Sequence, residues 1–264
     1  MKARGFSLIE LIVVIVLMGI LAMSVTMFFK PAVDSFIDAR RRADMSDAAD
    51  TSLRKMAQDI RRAVPNSLNL IAPLYSGTTQ LACFQIVPTI AGGRYRTDID
   101  TADNAAIALN DSSPSPFRMA ILAAQGRPAA VGDFVVINNQ NADDVYNGAS
   151  RARISALAPV TLVTNPTVSG YMGGRFQLVS GQEQSVMYTC ANNRLTRKIL
   201  PDFTKKAACE TDGTLLAGNV SGCAFSYGSA GETFGLLTLS LTMTHAASQE
   251  SITLGHAIHV DNAP

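Results

Sequence analysis

Read from its start, the chain is apolar from Phe6 to Phe29, 24 residues interrupted by a single charge at Glu10. At about 1.5 Å per helical residue this run reaches about 36 Å, enough to cross a hydrocarbon core of about 30 Å. Charges then return, with Asp34, Asp38, Arg40, Arg41, Arg42 and Asp44 set among apolar positions. Leu53, Met56, Ala57, Ile60 and Val64 recur at steps of three and four, the stripe of an amphipathic helix with one face to cover. Pro65 stops it. Phe6 to Val64 is 59 residues, about 88 Å as one helix, so the economical expectation is a helix half in a membrane and half packed on a domain. Pro31 cannot donate to the Met27 carbonyl and Gly19 weakens the helix further up, so a kink or local loosening is expected there.

From Asn66 the period changes to two, with turns rich in Gly, Pro, Asn and Ser. Leu237, Leu239, Leu241 and Met243 alternate with Thr238, Ser240, Thr242 and Thr244, a half-buried strand. Ile252, Leu254, Ile258 and Val260 form a second alternating set after a turn from His245 to Glu250, which predicts a C-terminal hairpin. Another hairpin is expected from Ser185 to Cys190 and Arg194 to Leu200 about Asn192-Asn193. Further strands are expected at 80–87, 117–122, 133–137, 153–163 and 175–179, and loops at 92–116 and 138–149.

Composition narrows the function. About 200 residues lie beyond the apolar run and its extension, enough for one compact domain, two at most. A net charge of +1 gives no field to steer nucleic acid, and the absence of Trp leaves little support for an aromatic carbohydrate platform. Lys2 and Arg4 hold the start of the chain on the cytoplasmic side, so Cys83, Cys190, Cys209 and Cys223 face the periplasm, where disulfides persist. Four cysteines allow three connectivities. Cys83 with Cys190, both in expected strands, and Cys209 with Cys223, closing a short loop, is the expected pairing.

A removable secretory signal also begins with basic residues, but its apolar core is roughly 7–15 residues and ends in small residues at the cut. The run here is longer and offers only Ala22-Met23-Ser24. Glu10 is the more telling feature. A carboxylate within an apolar helix costs roughly 2.5–3.5 kcal/mol even on the lenient insertion scale, so it needs a positive partner. Cutting between Gly5 and Phe6 would create one, an α-amino group at the head of the helix.

Gly5-Phe6-Ser7-Leu8-Ile9-Glu10, followed by its hydrophobic tract, resembles the processing site of type IV pilins and pseudopilins residue for residue. That resemblance implies cleavage after Gly5 by a prepilin peptidase, methylation of Phe6, and neutralisation of a neighbouring subunit's N-terminus by Glu10 during assembly. It implies an α+β, pilin-like fold: a cytoplasmic leader at 1–5, a transmembrane and filament-core helix at 6–29, its amphipathic continuation at 30–65 and a periplasmic β-rich domain at 66–264. Asn193-Arg194-Leu195-Thr196-Arg197 and the stretch from Leu215 to Tyr227, including Val220-Ser221-Gly222-Cys223-Ala224-Phe225-Ser226-Tyr227, together with the final hairpin, are similar to J-type pseudopilins of type II secretion. The larger, disulfide-bearing form is similar to the O-type minor pilins of the mannose-sensitive haemagglutinin pilus system. The secretion system, that pilus and another type IV pilus stay open as settings. Implied partners are the peptidase, other minor pilins, the major pilin, the inner-membrane assembly platform and membrane lipid, with no nucleic acid and no cofactor.

Catalytic and metal chemistry finds no constellation. His256 and His259, three apart on an expected strand, point to opposite faces, and His245 lies in a turn. No zinc spacing, phosphate-binding glycine loop or nucleophile elbow occurs, Gly228-Ser229-Ala230-Gly231 included. Asp98, Asp100, Asp103 and Asn104 could offer oxygens to calcium but lack the glycine and glutamate that close an EF-hand loop, so they read as a solvated acidic loop. Arg40-Arg41-Arg42 fan around a helix and read as a solvated face. The expectation is a structural and assembly subunit, low in copy number and placed at the tip or start of a filament. The rivals are a tip adhesin or DNA-capturing pilin and, as an enzyme, an anchored periplasmic hydrolase.

Overall fold

A computed structural model describes residues 7–76, 81–95, 119–121, 127–157, 160–164, 166, 174–228 and 235–260. They fall into two compact units, 1–47 and 48–264. In chain order the elements are α1 (Leu8–Arg61), β1 (Asn69–Ala72), β2 (Leu74–Tyr75), β3 (Leu81–Ile86), β4 (Ala91–Tyr95), β5 (Met119–Ile121), β6 (Phe134–Val136), α2 (Asp144–Asn147), β7 (Arg151–Leu157), β8 (Val160–Leu162), β9 (Arg175–Val179), β10 (Ser185–Ala191), β11 (Arg194–Leu200), β12 (Thr214–Gly218), β13 (Val220–Tyr227), β14 (Leu236–Thr244) and β15 (Ser251–His259). The class is α+β, a long N-terminal helix followed by antiparallel sheets, as expected.

In the first unit every residue from Leu8 to Arg40 is exposed. Among the described residues α1 is the one helix long and apolar enough to cross a membrane, by length and composition. It passes through Gly19 and Pro31 as a single helix, without the interruption that a missing N–H at Pro31 could have introduced. It ends at Arg61, three residues short of the expected Val64. Val64 precedes Pro65, which disfavours helical geometry, and donates instead to the Val87 carbonyl (2.8 Å). Asn66 then turns the chain with φ 60°.

The second unit is built on the apolar stripe of α1. Leu53, Met56, Ala57 and Ile60, each at most 2% exposed, share one core with Phe84, Tyr188, Leu195, Phe225, Leu239 and Leu241. Those partners come from two antiparallel sheets, one of order β1-β3-β10-β11-β12 and one of order β15-β14-β13-β2. The face of the first sheet that carries Cys83 and Met187 is covered by the segment after β11. Buried Gln85 holds it there, donating to Ser185 Oγ (3.0 Å) and the Thr204 carbonyl (2.9 Å) and accepting from the Lys206 N–H (2.9 Å).

A third antiparallel sheet, β5-β4-β9-β6-β7-β8, is made wholly of chain between β3 and β10, which are themselves hydrogen-bonded neighbours. Its own core holds Val135, Ile137, Ile154, Leu162, Phe176 and Leu178. Its other face joins Val64, Val87 and Phe203 through Val136 and Val179, with Val145 of α2 in the same cluster. Polar ties reinforce the seam, with Tyr146 donating to the Ser67 carbonyl (2.6 Å) and Asn139 to the Pro65 carbonyl (2.6 Å).

Both expected hairpins form. Asn192 and Asn193 turn the first with φ 51° and 59°, and β14 pairs with β15 over all nine residues without a shift in register. Three expectations are corrected. The stretch 153–163 holds parts of two strands, β7 and β8, because the chain folds back on itself there, with Leu157 opposite Val160 and Ile154 opposite Leu162. The expected loop 92–116 begins as β4, and 138–149 contains α2. The irregular β1 and two-residue β2 carried too few alternating positions to show a period.

Candidate assembly site

The processing bond and its flanking residues Gly5 and Phe6 lie outside the described residues. Just after them Ser7 precedes the first helical residue, and its Oγ accepts the Glu10 N–H (3.3 Å) while its carbonyl accepts the same N–H at 3.1 Å. Ser7-x-x-Glu10 is thus the spacing of a capping box, in which a serine at the helix start satisfies an orphan donor three residues on. This second duty of the motif is readable from the Ser/Glu spacing but was missed there. Glu10 is exposed at the positive end of the helix dipole, with the apolar surface running away from it.

A charged cluster that periodicity does not reveal anchors the other end of α1. The side chain of Asp59 is fully buried and accepts from Tyr188 OH (2.6 Å), Arg197 Nε (2.8 Å), Arg62 (2.8 Å) and Lys55 (3.2 Å). Arg197 also grips Glu183. Burial works against the Asp59 charge, yet hydrogen bonds from Tyr188 and Arg197 and the nearby guanidinium charges hold its carboxyl below the usual carboxylate range. Burial, with the Asp59 charge beside it, pushes the Tyr188 hydroxyl above its ordinary value. The cluster ties the last turns of α1 to β10 and β11. Arg197, quoted above only for its resemblance to pseudopilins, has this as its observed contact.

The cysteine pairing differs from expectation. Cys83 bonds to Cys209 and Cys190 to Cys223, not Cys83 to Cys190 and Cys209 to Cys223. The register explains it: on neighbouring strands Cys83 stands opposite Thr189 and Cys190 opposite Ala82. One residue out of register places the two sulfurs on opposite faces of the sheet. Cys190, on the core face, joins the first sheet to β13. Cys83, on the other, fastens the segment covering that face.

The remaining candidates stay apart. His256 stands opposite core-facing Leu239 and His259 opposite Leu236, so the two rings are on opposite faces of the sheet. His245 caps its turn, its Nδ1 accepting the Ser248 N–H (3.2 Å). Arg41 pairs with Asp38 one turn earlier (2.9 Å), and Arg40 and Arg42 are exposed. Asp98, Asp100, Asp103 and Asn104 lie outside the described residues, as do Ser229, Ala230 and Gly231. Among the described residues no group of three or more His, Cys, Asp or Glu is placed to hold a metal.

A long helix that is apolar and exposed over its first half, with a glutamate in its first turn, leading into antiparallel sheets, is a pilin-like α+β arrangement. Residues 1–26 match the family model of the prokaryotic N-terminal methylation motif, the prepilin signal of type IV pilin-like proteins. No curated protein and no solved structure matches the chain. The motif implies processing by a prepilin peptidase in the setting of pilus assembly, and with the helix it fits inner-membrane anchoring of a C-terminal soluble domain.

Proposed function

We propose that this chain is a minor pilin or pseudopilin, a structural subunit that helps initiate or cap a type IV pilus of the mannose-sensitive haemagglutinin kind. The observation that carries the reading is the prepilin motif fused to an exposed helix whose apolar stretch, up to Phe29, has its one carboxylate, Glu10, in the first turn. Residues 1–5 are the leader, 6–29 the filament-core helix, 30–65 its continuation and 66–264 the periplasmic domain. Lateral packing of the 6–29 helices forms the filament core, and Glu10 sets register by pairing with a neighbour's methylated amine at Phe6. The protein acts by assembly and not by catalysis, and its partners are other minor pilins, the major pilin and the inner-membrane platform.

Tip placement is supported by the third sheet, which adds bulk that a close-packed shaft accommodates poorly. The J-type pseudopilin of type II secretion is the alternative setting, supported by the Leu215–Tyr227 stretch and the final hairpin. Mass spectrometry of the mature N-terminus is the direct test. The expected product begins at a methylated Phe6, and Gly5→Val abolishes it because the peptidase site accepts only the smallest side chain there. A cut near Ser24, or an uncut chain, overturns the reading. Copurification with other minor pilins, or with secretion pseudopilins, separates the two settings.

A further inference from the structure

Among the described residues the sheets of the second unit end in six edge strands, and five are short or interrupted. β2 has two residues, β5 and β8 three, β1 four and β12 five, and the pairings of β1, β8 and β12 each carry a register shift. β15 is the exception, with nine residues, no charge, no proline and no shift against β14. Short strands, charges, prolines and bulges are how sheets keep their edges from pairing with other chains, and β15 has none of them.

The ladder fixes which backbone groups face outward. The flanking hydrogen bonds Val260 N–H to Gly235 (2.5 Å) and His245 N–H to Glu250 (2.8 Å) place the even-numbered residues in the ladder with β14. The N–H and C=O of Ser251, Thr253, Gly255, Ala257 and His259 therefore point to the open edge. On the core side of the same strand Ile252, Leu254 and His256 are only half buried, whereas Ile258 is fully covered. The edge leaves both backbone groups and apolar side chains unfinished.

We propose that β15 is a docking edge for an extended segment of another protein chain, added as a further antiparallel strand. Its partner alternates small or polar residues with apolar ones that cover Ile252 and Leu254, and it places a hydrogen-bond acceptor opposite His256. A second copy of β15 fits less well. In the fully overlapped antiparallel pairing about Gly255, His256 meets the apolar Leu254 instead of a polar side chain. The surface is independent of the N-terminal motif, so its failure leaves the mass-spectrometric test of processing untouched.

The test uses the full chain in nanodiscs and a capped, labelled nine-residue peptide alternating threonine and valine, with glutamine at one valine position. Saturable binding is expected, absent with empty nanodiscs and at least tenfold weaker when the threonine nitrogens are methylated. Ala257→Pro removes an outward N–H while sparing the β14 ladder, and is expected to weaken binding at least tenfold with unchanged thermal unfolding. Thr253→Pro serves if that variant does not fold. Bound peptide should slow amide exchange at Thr253, Gly255 and Ala257, with little change at Ile252 and Leu254. No saturable binding at millimolar peptide overturns the proposal, as does equal binding of the N-methylated peptide to the unaltered protein. A concentration-dependent dimer dissolved by Ala257→Pro also overturns it, assigning the edge to a second copy.

Discussion

Two carboxylates on one helix, Asp59 and Glu10, show how the same chemical group does opposite jobs in different surroundings. Asp59 is buried but surrounded by donors, so removing it strands Arg197 and Tyr188. Loss of one partner from such a cluster costs about 3–5 kcal/mol, and Asp59→Ala is expected to lower stability in chemical denaturation by that amount. Because its folded pKa is lowered, the Asp59 charge stabilises the fold above the ordinary carboxylate value of about 3.9, and that contribution is lost as pH falls through the folded value. Asp59→Asn should therefore show a flatter loss of stability on acidification than the parent, measured by urea midpoints below about pH 4. Glu10 has no such surroundings among the described residues, and in the proposed function assembly supplies its partner. Glu10→Gln is expected to leave cleavage at Gly5 and the soluble fold intact while reducing filament incorporation, read by crosslinking to neighbouring subunits. Parental crosslinking in that variant would remove Glu10 from register setting. Of these two residues only Glu10 was legible in the sequence, because a lone charge in an apolar run stands out. Asp59 stands among other charges of the helix with nothing in its spacing to single it out, and its role depends on Tyr188 and Arg197, more than a hundred residues away.

At the scale of elements, what was legible depended on how far apart the determining residues lie in the chain. The β10–β11 and β14–β15 hairpins are set by adjacent alternating runs and short turns, and they appear close to where the pattern put them. The disulfides depend on which strands become neighbours and in which register, which no spacing rule contains. Cys83–Cys209 closes a separation of 126 residues and Cys190–Cys223 one of 33. Each is expected to contribute roughly 2–5 kcal/mol by restricting the unfolded chain, the longer loop more. Peptide mapping without reduction should return these two pairs. Cys190→Ser with Cys223→Ser should lower the thermal midpoint while leaving Cys83–Cys209 intact. The helix stripe was equally legible, and Met56→Ala, at a position of 0% exposure, is expected to cost about 2–5 kcal/mol.

Taken whole, the unit from Ala48 onward is a helix-and-two-sheet body with a third sheet let into one of its strand connections. The sequence suggested one domain because the inserted strands have the same period and turn residues as the rest. Only the pairing of β3 with β10 separates them. That pairing has a practical result. Ile86 stands opposite Val186, so Val87 and Ser185 are the next facing positions, a gap that a two-residue Asn-Gly turn can close. Replacing residues 88–184 by that turn should leave the helix-bearing body folded with both disulfides formed, as mapped without reduction. It should be less stable, because Val64, Val87 and Phe203 lose the apolar surface they pack against. Chain enters and leaves the inserted sheet through a single doorway one strand wide. A different cargo, of another size or with another binding habit, could be mounted at that doorway, with the bonds of Asp59 to Tyr188 and Arg197, all outside the replaced stretch, still holding the helix.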